Sequence, residues 1–397
     1  MASLGAAKAG HRVLLLEKNI LPGRKLSITG GGRCNITNST DIDGFISNTI
    51  SNGKFLYGPF FTFSNEDMIE LLKSCGVAVH TEDNGRVFPA SGSSRDIIDA
   101  LLRLIKIHGV KLKTKTAVQS LVLEKSKNHE DICTGVKTVA GEVIKSDITI
   151  VTTGGITYPS TGSTGDGYEF ARKSGHGIIE PCPALAPFVT KDSSIKDLQG
   201  ISLKNIHGIV KQDGKILFKS TGDILFTHYG ISGPLILNAS GYCESHLKNG
   251  ELTLVLDFLH EEKNMEERML SLFNTCKNKQ ISTALKTLFP ESIAAFLLAK
   301  AEISQEKPVH SISKKERQNL CQQIKSLELT VTGLKTKEAM ITQGGIDTKE
   351  IDPQTLSSKK VSGLKFAGEV LDLDAKTGGF NLQIAWSTGY TAGITCE

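Results

Sequence analysis

The chain has 397 residues, with 46 Lys and Arg against 42 Asp and Glu and a formal net charge of +4. This length predicts two or three subdomains, and so mild a charge gives no argument by itself for a nucleic acid or an anionic membrane as partner. The eight cysteines form no C-x-x-C pair, which favours reduced thiols in a cytoplasmic protein over disulfides or a zinc site. No apolar run is long enough to span a membrane, and the N-terminus lacks a signal-peptide pattern.

The first stretch, "SLGAAKAGHRVLLLEKN", predicts the end of a helix, a turn at Gly10 and a buried strand over residues 13–16 that ends in Glu17. An acidic residue at this point binds a ribose hydroxyl in dinucleotide folds. The G-x-G-x-x-G turn of such a fold lies roughly 20 residues upstream, which here is before residue 1. We therefore expect either a start site further upstream or a protein without that phosphate turn, and we favour the former.

The following elements alternate between helices and strands. Helices are predicted in "NEDMIELLKSCG" and "SGSSRDIIDALLRLIKIHG", and strands in "VKLKTKTAVQSLVLE", "ICTGVKTVAGEVIKSD" and "ITIVTTGG". Pro181, Pro183 and Pro187 then predict a boundary, because proline interrupts helix and sheet. Alternating segments over residues 189–258 predict a β subdomain, and charged amphipathic segments over 262–327 predict helices. The last segment predicts a strand over 364–367, a loop and a helix from near Gly379.

This order predicts an α/β protein with a Rossmann-like dinucleotide domain built from both ends of the chain. The N-terminal part is expected over residues 1–187 and the C-terminal part over 336–397. Between them we expect an inserted substrate domain over 188–335, with a β subdomain over about 188–260 and a helical subdomain over about 261–335.

Four glycine-rich stretches lie at strand ends of this pattern: "TGGGRCN", "TTGG", "TGSTGDG" and "FAGEVLDLDAKTGGFN". Glycine lets backbone N–H groups approach a ligand closely, and a helix N-terminus adds a partial positive charge that favours anionic oxygens. One such stretch is ordinary turn chemistry, but four on one α/β pattern indicate a large bound cofactor.

The blocks "GRKLSITGGGRCNITN", "TGGITYPSTGSTGDGYEFARKSGH", "FTHYGISGPLIL" and "GLKFAGEVLDLDAKTGGFNLQIAWSTGYTAG" resemble, in order and spacing, the signature blocks of the BaiN-like flavoproteins. This bacterial family of FAD-dependent oxidoreductases is also called aminoacetone-oxidase-like, or NAD(FAD)-utilizing dehydrogenases. The resemblance covers essentially the whole chain except for the missing first strand and glycine turn. It implies a two-dinucleotide-binding-type fold with FAD as cofactor and NADH or NADPH as electron donor.

The resemblance also implies a set of FAD-binding residues. In chain order they are Glu17, Lys18, Arg24, Lys25, Gly30, Gly31, Gly32, Arg33, Cys34, Asn35, Val118, Thr153, Gly154, Gly155, Gly368, Glu369, Asp372, Gly378, Gly379, Phe380 and Asn381.

Several of these residues have implied roles. Glu17 would bind the adenosine ribose, Arg33 would neutralise phosphate charge, and Asp372 would hold a ribitol hydroxyl. Cys34 has no second cysteine near it in the sequence, so we expect small-residue packing beside the flavin rather than redox chemistry. Residues 378–381 would set a helix N-terminus against the flavin carbonyl.

In this family the protein positions a cofactor that carries the hydride. Reduction of a conjugated enone also needs a proton donor near the ring, and the candidates are Tyr158, His228 and Tyr229. Alternatively, "FTHYG" is only a packing corner. The ten histidines include no H-x-x-x-H, so no catalytic metal is indicated.

The substrate stays open between several classes. The resemblance favours reduction of ring double bonds conjugated to the 3-oxo group of a dehydrogenated bile acid, and oxidation of aminoacetone is the alternative. A steroid requires an apolar cavity, which "FTHYGISGPLILNASGY" and "SIAAFLLAK" are expected to line unless they are ordinary core. A tRNA-modifying flavoprotein needs a basic face with exposed aromatic residues, and the near-neutral charge and 6% aromatic content argue against a nucleic-acid partner. A relic that no longer retains FAD is the remaining reading.

Overall fold

A computed structural model describes residues 1–126, 129 and 131–396, and it divides the chain into two units. Unit 1 comprises Met1–Pro183 and Ala339–Glu397, and unit 2 comprises Ala184–Glu338. Unit 1 is therefore built from both ends of the chain, whereas unit 2 is one continuous segment.

The α-helices are, in chain order, α1 (Ala2–Lys8), α2 (Arg24–Ile28), α3 (Ile42–Asn48), α4 (Tyr57–Thr62), α5 (Asn65–Ser74), α6 (Ser94–Ile107), α7 (Asp166–Lys173), α8 (Pro234–Ser240), α9 (Glu244–Leu247), α10 (Met265–Thr275), α11 (Ile281–Leu285), α12 (Glu291–Lys300), α13 (Lys314–Lys325) and α14 (Phe380–Ile394).

The strands are β1 (Leu14–Leu16), β2 (Thr37–Asn38), β3 (Thr49–Ser51), β4 (Val79–Thr81), β5 (Arg86–Pro89), β6 (Lys111–Lys113), β7 (Val118–Lys125), β8 (Asp131–Thr138), β9 (Val143–Lys145), β10 (Thr149–Val151), β11 (Ile178–Ala184), β12 (Phe188–Thr190), β13 (Ser202–Gln212), β14 (Lys215–Thr227), β15 (Gly230–Ser232), β16 (Leu252–Asp257), β17 (Leu327–Leu334), β18 (Ile341–Ile346), β19 (Val361–Ser362), β20 (Leu364–Phe366) and β21 (Asp374–Ala375).

Capping residues place the helices where the sequence pattern predicts them. The Ser64 side chain accepts a hydrogen bond from the Asp67 N–H and the Asp67 carboxylate accepts one from the Ser64 N–H, so a capping box begins α5. The Ser93 side chain caps α6 by accepting a hydrogen bond from the Arg95 N–H. Both predicted helices, and the C-terminal helix predicted to start near Gly379, are confirmed.

Unit 1 contains short sheets with parallel pairing between strands that are distant in sequence. β1 pairs with β6, and β10 pairs with β20. An antiparallel sheet of β7, β8 and β9 carries β19 as a parallel neighbour of β8. Parallel pairing requires crossover connections, and the turns that follow β1, β10 and β20 carry several of the predicted cofactor residues, among them Glu17, Thr153 and Glu369.

Four details differ from the sequence-based predictions. The stretch "VKLKTKTAVQSLVLE" forms two strands, β6 and β7, because Lys115 between them adopts a positive φ of 53°. The stretch "ICTGVKTVAGEVIKSD" is likewise a hairpin of β8 and β9, turning at Gly141. The predicted buried strand β1 leaves Leu14 41% exposed, because β6 is its only partner strand in the described part of the chain.

The fourth difference concerns Pro181 and Pro183, which were expected to interrupt the sheet. Both lie inside β11, which pairs with β18 in a two-stranded sheet. Such a strand has one unpaired edge, where the missing proline N–H costs no hydrogen bond.

Unit 2 is a closed barrel with helices that share its core. The strand order is β12-β15-β14-β13-β16-β17, so the barrel closes through β17, which follows the helices α10–α13 in the chain. Residues 327–334, expected to belong to the helical subdomain, are therefore a barrel strand. Ile293, Phe296 and Leu297 of α12 lie in one buried apolar cluster with Leu235 and Ile236 of α8. The two stretches expected to line a steroid cavity thus supply core residues.

Candidate cofactor site

The four glycine-rich stretches of the sequence meet in unit 1. Lys25 of α2 forms an ion pair with Glu369 at 2.6 Å and donates a hydrogen bond to the Thr157 hydroxyl at 3.0 Å. The other carboxylate oxygen of Glu369 accepts the Thr342 N–H at 2.9 Å. This partly buried network joins α2 to the turns that follow β10 and β20.

The segment after β10 packs closely against this network because its glycines have no side chains. A Cβ on Gly155 would lie 2.1 Å from Thr342 Oγ1, and one on Gly167 would lie 2.2 Å from Thr153 Oγ1. Gly154 adopts φ +74°, and a Cβ there would approach Ser163 Oγ at 3.2 Å and Glu369 Oε2 at 3.7 Å. The stretches "TTGG" and "TGSTGDG" and the Glu369 turn therefore form one close-packed group.

The N-terminus of α14 is fixed by the "GGGRCN" block and the asparagine that follows it. Gly379 adopts φ +97°, and a Cβ there would lie 2.3 Å from the Thr37 carbonyl oxygen. The Asn35 side-chain amide, oriented to satisfy both neighbours, accepts the Gly379 N–H at 2.9 Å and donates to the Thr37 carbonyl at 3.2 Å. Asn38 donates to the Gly378 carbonyl at 3.0 Å.

The next two residues of α14 have structural contacts. Phe380 is buried against Phe45, with ring centroids 5.2 Å apart at a steep angle. The Asn381 amide accepts the Ala375 N–H at 2.9 Å and donates to the Ala375 carbonyl at 2.7 Å, so it holds the loop that leads into the helix.

Glu17, Lys18 and Arg24 cluster beyond the C-terminal end of β1. Glu17 Oε1 accepts both the Asn19 backbone N–H at 2.7 Å and the Asn19 amide at 2.8 Å. Lys18 forms an ion pair with Asp166 at 2.7 Å, and Arg24 donates to Asn19 Oδ1 at 3.3 Å. These contacts attach the end of β1 to the "TGSTGDG" turn.

Arg33 and Cys34 point in different directions. The Arg33 guanidinium lies 4.2 Å from the centroid of the Phe88 ring and forms an ion pair with Glu82 at 3.2 Å, on the side of β4 and β5. Cys34 is fully buried and adopts φ +61°. Burial raises the pKa of its thiol to about 11, so it stays protonated at neutral pH.

Two carboxyl groups lie between β20 and α14. Asp372 is buried and accepts the Asn52 amide at 2.7 Å, and burial raises its pKa. Asp374 is fully buried, and burial raises its pKa to about 6. Its Oδ2 accepts the Gln343 amide at 3.1 Å, whereas Oδ1 has no hydrogen-bond partner among the described residues.

The remaining predicted residues are turn and strand positions. Gly30, Gly31 and Gly32 all have positive φ, from 57° to 88°, and the Cβ position of Gly31 faces open space. Gly368 has φ +79° and donates its N–H to Thr388 at 3.0 Å. Val118 begins β7 opposite Thr138.

The three proton-donor candidates belong to different units. In unit 1, Tyr158 adopts φ +54° just before the 3-10 turn Pro159–Thr161 and is partly buried. In unit 2, His228 is exposed and packs edge-on against Tyr229 at 4.8 Å. The Tyr229 hydroxyl donates to Glu338 at 2.5 Å, and burial together with this bond raises its pKa to about 12.

Sequence reasoning did not single out several residues that build this site. Asn19, Asn38, Thr157 and Thr342 each form a hydrogen bond with a residue from another segment of the site, namely Thr161, Gly378, Lys25 and Ile156 in that order. Asn38 lies within the quoted block "GGGRCNITN", and all four are polar residues close to a strand end or glycine turn. A polar residue next to a strand end or glycine turn is therefore the sequence signal that could have identified these four residues as part of the site.

The profile of the "HI0933-like protein Rossmann domain" matches residues 1–395. The chain belongs to the HI0933-like family. This confirms the expected α/β, Rossmann-like fold of the FAD-binding type and the resemblance to the BaiN-like flavoproteins. As a member of this family, the chain is a flavoprotein oxidoreductase.

Relatives of this HI0933-like protein are named for two different activities. A ribosomal RNA dihydrouridine synthase of Haemophilus influenzae is 31% identical over 98% of this chain and 93% of its own. The Escherichia coli protein of the same name is 27% identical over 97% and 92%. A 3-dehydro-bile acid delta(4,6)-reductase of Clostridium scindens is 29% identical over 99% and 95%.

Solved structures agree on the fold. A 3-ketosteroid-delta4-(5alpha)-dehydrogenase from Rhodococcus jostii has a TM-score of 0.52 at 15% identity, covering 99% of this chain and 93% of that chain. A 3-ketosteroid delta1-dehydrogenase from Sterolibacterium denitrificans has a TM-score of 0.51 at 14% identity, covering 99% and 96%. No helix in the described ranges is long and apolar enough to cross a membrane.

Proposed function

We propose that this protein binds FAD in unit 1 and uses NADH or NADPH to reduce a carbon–carbon double bond conjugated to a carbonyl group. The observation that carries the proposal is the chemistry common to the relatives. Dihydrouridine forms when the uracil C5=C6 bond, conjugated to the C4 carbonyl, is saturated. A delta(4,6)-reductase saturates ring double bonds conjugated to the 3-oxo group. One reaction type therefore accounts for relatives with very different substrates.

The residues of the site fit FAD. Thr153 Oγ1 is buried and has no hydrogen-bond partner among the residues described, and it lies in the turn after β10. The backbone at Gly31 is open, and Gly154 and Gly379 have positive φ. Such turns present N–H groups to phosphate or carbonyl oxygens. Glu17 would hold the adenosine ribose, and Asp372 the ribitol chain. Bound FAD would supply hydride transfer from the nicotinamide to the substrate.

The protein's own part is positioning, charge and a proton. The N-terminus of α14, fixed by Asn35 and Asn38, would direct its partial positive charge at the cofactor. We propose Tyr158 first among the three donor candidates, because it lies in unit 1, in the segment after β10 that also carries Thr153 and Gly154. Tyr158→Phe should then lower kcat more than it changes KM, and a normal kcat would shift the assignment to His228 or Tyr229.

We propose the uracil base of ribosomal RNA as the substrate, acted on in the cytoplasm, with a 3-oxo-dienoic bile acid as the second candidate. The relative at 31% identity supports the RNA assignment. The stretches expected to line a steroid cavity supply core of unit 2 instead. This departs from the expectation of no nucleic-acid partner, which rested on net charge and aromatic content averaged over the chain. The bile-acid candidate rests on the relative at 29% identity.

The test uses purified full-length protein. We expect a flavin absorbance, bleaching by NADH or NADPH without oxygen, and recovery of colour on adding unmodified ribosomal RNA, with dihydrouridine detected by mass spectrometry. Recovery with the bile acid alone would select the second candidate. Reoxidation by air with ammonia released from aminoacetone would select an amine oxidase. Colourless protein that takes up no added FAD would overturn the proposal.

A further inference from the structure

The basic residues of this chain are unevenly distributed. Residues 1–16 and 100–123 together contain seven Lys and Arg and no Asp or Glu. The rest of the chain has 39 basic residues against 42 acidic ones, so it carries a small negative net charge. The net positive charge of the protein therefore comes from two segments that are about 85 residues apart in sequence.

The fold brings these two segments together. β1 and β6 are parallel neighbours, with Leu14 opposite Lys111, and the Lys111 N–H donates to the Val13 carbonyl at 3.0 Å. Leu4 of α1 and Ile105 of α6 lie in one buried cluster. α1 leads into β1 and α6 into β6 through short turns. The C-terminal ends of both helices therefore lie beside the N-terminal ends of both strands.

Four cations and two histidines share this end of unit 1. We call the six residues the basic face: Lys8, His11, Arg12, Lys106, His108 and Lys111, all of them exposed. Of the seven cations in the two segments, only Lys113 has a carboxylate partner in the described part of the chain, namely Glu142 at 2.6 Å. Among the residues that the structure describes, no carboxylate forms an ion pair with the cations of the basic face.

Helix stability explains only part of this arrangement. A cation in the last turn of a helix interacts favourably with the helix dipole, which accounts for Lys8 and Lys106. Arg12 and Lys111 lie outside any helix and gain nothing from it. Both side chains are exposed and so can contact an external anion.

The position of the basic face indicates the size of that anion. Glu17 and Lys18 of the proposed cofactor site follow the C-terminal end of β1, whereas Arg12 precedes its N-terminal end. At about 3.3 Å per residue, roughly 17 Å of strand separates Arg12 from Glu17. A bile acid bound at the cofactor would not reach this face, but the phosphate backbone of a folded RNA would.

We propose that the basic face binds the phosphate backbone of the RNA substrate at a distance from the reacting base. This proposal rests on the proposed function. The basic face would contribute to RNA affinity, and the cofactor site would carry out the reduction of the base. An anionic membrane is the competing partner, because Ile107 is 77% exposed between Lys106 and His108. RNA is favoured because three exposed apolar side chains, Leu14, Ile107 and Leu112, give little area to insert into lipid.

The test compares two variants with the same change in charge. One carries Arg12→Glu, Lys106→Glu and Lys111→Glu on the basic face. The control carries Lys204→Glu, Lys215→Glu and Lys219→Glu on exposed positions of the unit 2 barrel. Binding of an in vitro transcribed ribosomal RNA fragment is measured by fluorescence anisotropy at several KCl concentrations. Circular dichroism and flavin content verify folding.

We expect the basic-face variant to lose at least about tenfold in RNA affinity and the slope of log K against log[salt] to fall by about 3, since each phosphate contact contributes roughly 0.9. The control should change the slope by less than about 1. Equal losses in both variants, or no loss in the first, would overturn the proposal. It would also be overturned if the first variant lost binding to phosphatidylglycerol vesicles but kept its RNA affinity.

Dihydrouridine formation is measured separately on the same samples. RNA binding that depends on the basic face, with no dihydrouridine formed, would support the binding surface and overturn the proposed function. Dihydrouridine formed equally well by both variants at RNA concentrations below the Kd would support the function and overturn the surface.

Discussion

At the scale of single residues, two buried ionisable side chains of unit 1 hold elements together. Lys365 of β20 is 3% exposed and donates to the Thr395 carbonyl at 2.8 Å, the Thr395 hydroxyl at 2.9 Å and the Thr355 carbonyl at 3.1 Å. Thr395 is the C-cap of α14, so the ammonium group satisfies the helix end. His176 is buried between the hydroxyls of Ser174 and Ser358.

Replacing Lys365 should destabilise unit 1. We expect Lys365→Met to lower the free energy of unfolding by about 1.5–3 kcal/mol, because three acceptors lose a charged donor. Urea denaturation followed by circular dichroism measures the change. Lys349→Met, at an exposed position, is the control and should stay within about 0.5 kcal/mol of the wild type. A similar effect of both variants would contradict the capping role.

His176 should make stability depend on pH. Burial lowers the pKa of His176 below its ordinary value, so the folded protein binds this proton less readily than the unfolded chain. Its contribution is fully present above the unfolded pKa of about 6.5 and is lost as the pH falls below that value. His176→Gln should therefore flatten the decline in the free energy of unfolding between about pH 7.5 and pH 5.5. Unchanged pH dependence of the His176→Gln variant would refute the assignment.

Asp372 should contribute to cofactor affinity. Asp372→Asn keeps an acceptor for the Asn52 amide but removes the charge proposed to face the ribitol chain. We expect the Kd for FAD to rise on the order of tenfold, the difference between a charged and a neutral acceptor. Flavin fluorescence titration of the apoprotein provides the value. An unchanged Kd would remove Asp372 from the site.

At the scale of elements, the packing of α1 on α14 depends on small residues. A Cβ on Gly5 would lie 2.6 Å from the Tyr390 carbonyl oxygen, and one on Gly393 would lie 2.1 Å from the Ala2 carbonyl oxygen. The two backbones are therefore in contact. This close approach also holds α14, whose N-terminus is proposed to face the flavin.

Gly393→Ala should separate the two helices. We expect a loss of about 1–3 kcal/mol of stability, since the clashing atoms belong to backbone that has no rotamer to change. Gly389→Ala is the control in the same helix, where the nearest atom to the new Cβ is Met1 Cβ at 3.3 Å. The control should stay within about 1 kcal/mol of wild type, because gained helix propensity offsets the tight contact. Thermal denaturation measures the stability of both variants. Equal stability of the two would contradict the close packing of α1 on α14.

At the scale of the whole molecule, unit 2 has what an independent domain requires. Its chain is continuous, its barrel is closed, and its large apolar cluster contains only residues from 188 to 334. The first and last barrel strands, β12 and β17, pair with each other, so the two ends of the segment are close together.

A fragment of residues 184–338 should fold alone. We expect a single cooperative urea transition and dispersed amide resonances, because no core residue of the cluster is removed. Two-dimensional NMR of the labelled fragment measures the dispersion of the amide resonances, and circular dichroism follows the urea transition. The matched fragment 1–183, which lacks the segment carrying β18, β20 and α14, should not give a cooperative transition. A disordered 184–338 fragment would show that its core needs unit 1.

Local sequence patterns were sufficient to predict those helices and strands whose conformation is decided by neighbouring residues. The capped helices α5 and α6, the strand over residues 364–366 and the helix after Gly379 follow from capping groups, apolar periodicity and glycine turns, all of which act within a few residues. The α/β class and the Rossmann-like fold followed from the order of these elements and from the resemblance of whole sequence blocks. The chain divides after Pro183, within the predicted boundary, but Pro181 and Pro183 do not interrupt the strand β11, because tolerance of a missing N–H depends on which edge of the strand is paired.

The sequence by itself therefore determined the helices α5, α6 and α14, the helical segment over residues 262–327, the family and the four glycine-rich stretches. It did not predict α8 and α9, which lie in the segment expected to be a β subdomain. Only the tertiary structure decided which of their residues meet: Lys25 with Glu369, Asn35 with Gly379, and the basic ends of α1 and α6 with each other. It also decided that "SIAAFLLAK" supplies core and that β17 closes the barrel. These outcomes depend on contacts between residues tens to hundreds of positions apart, and a local sequence pattern carries no information about which distant partner fills a given space.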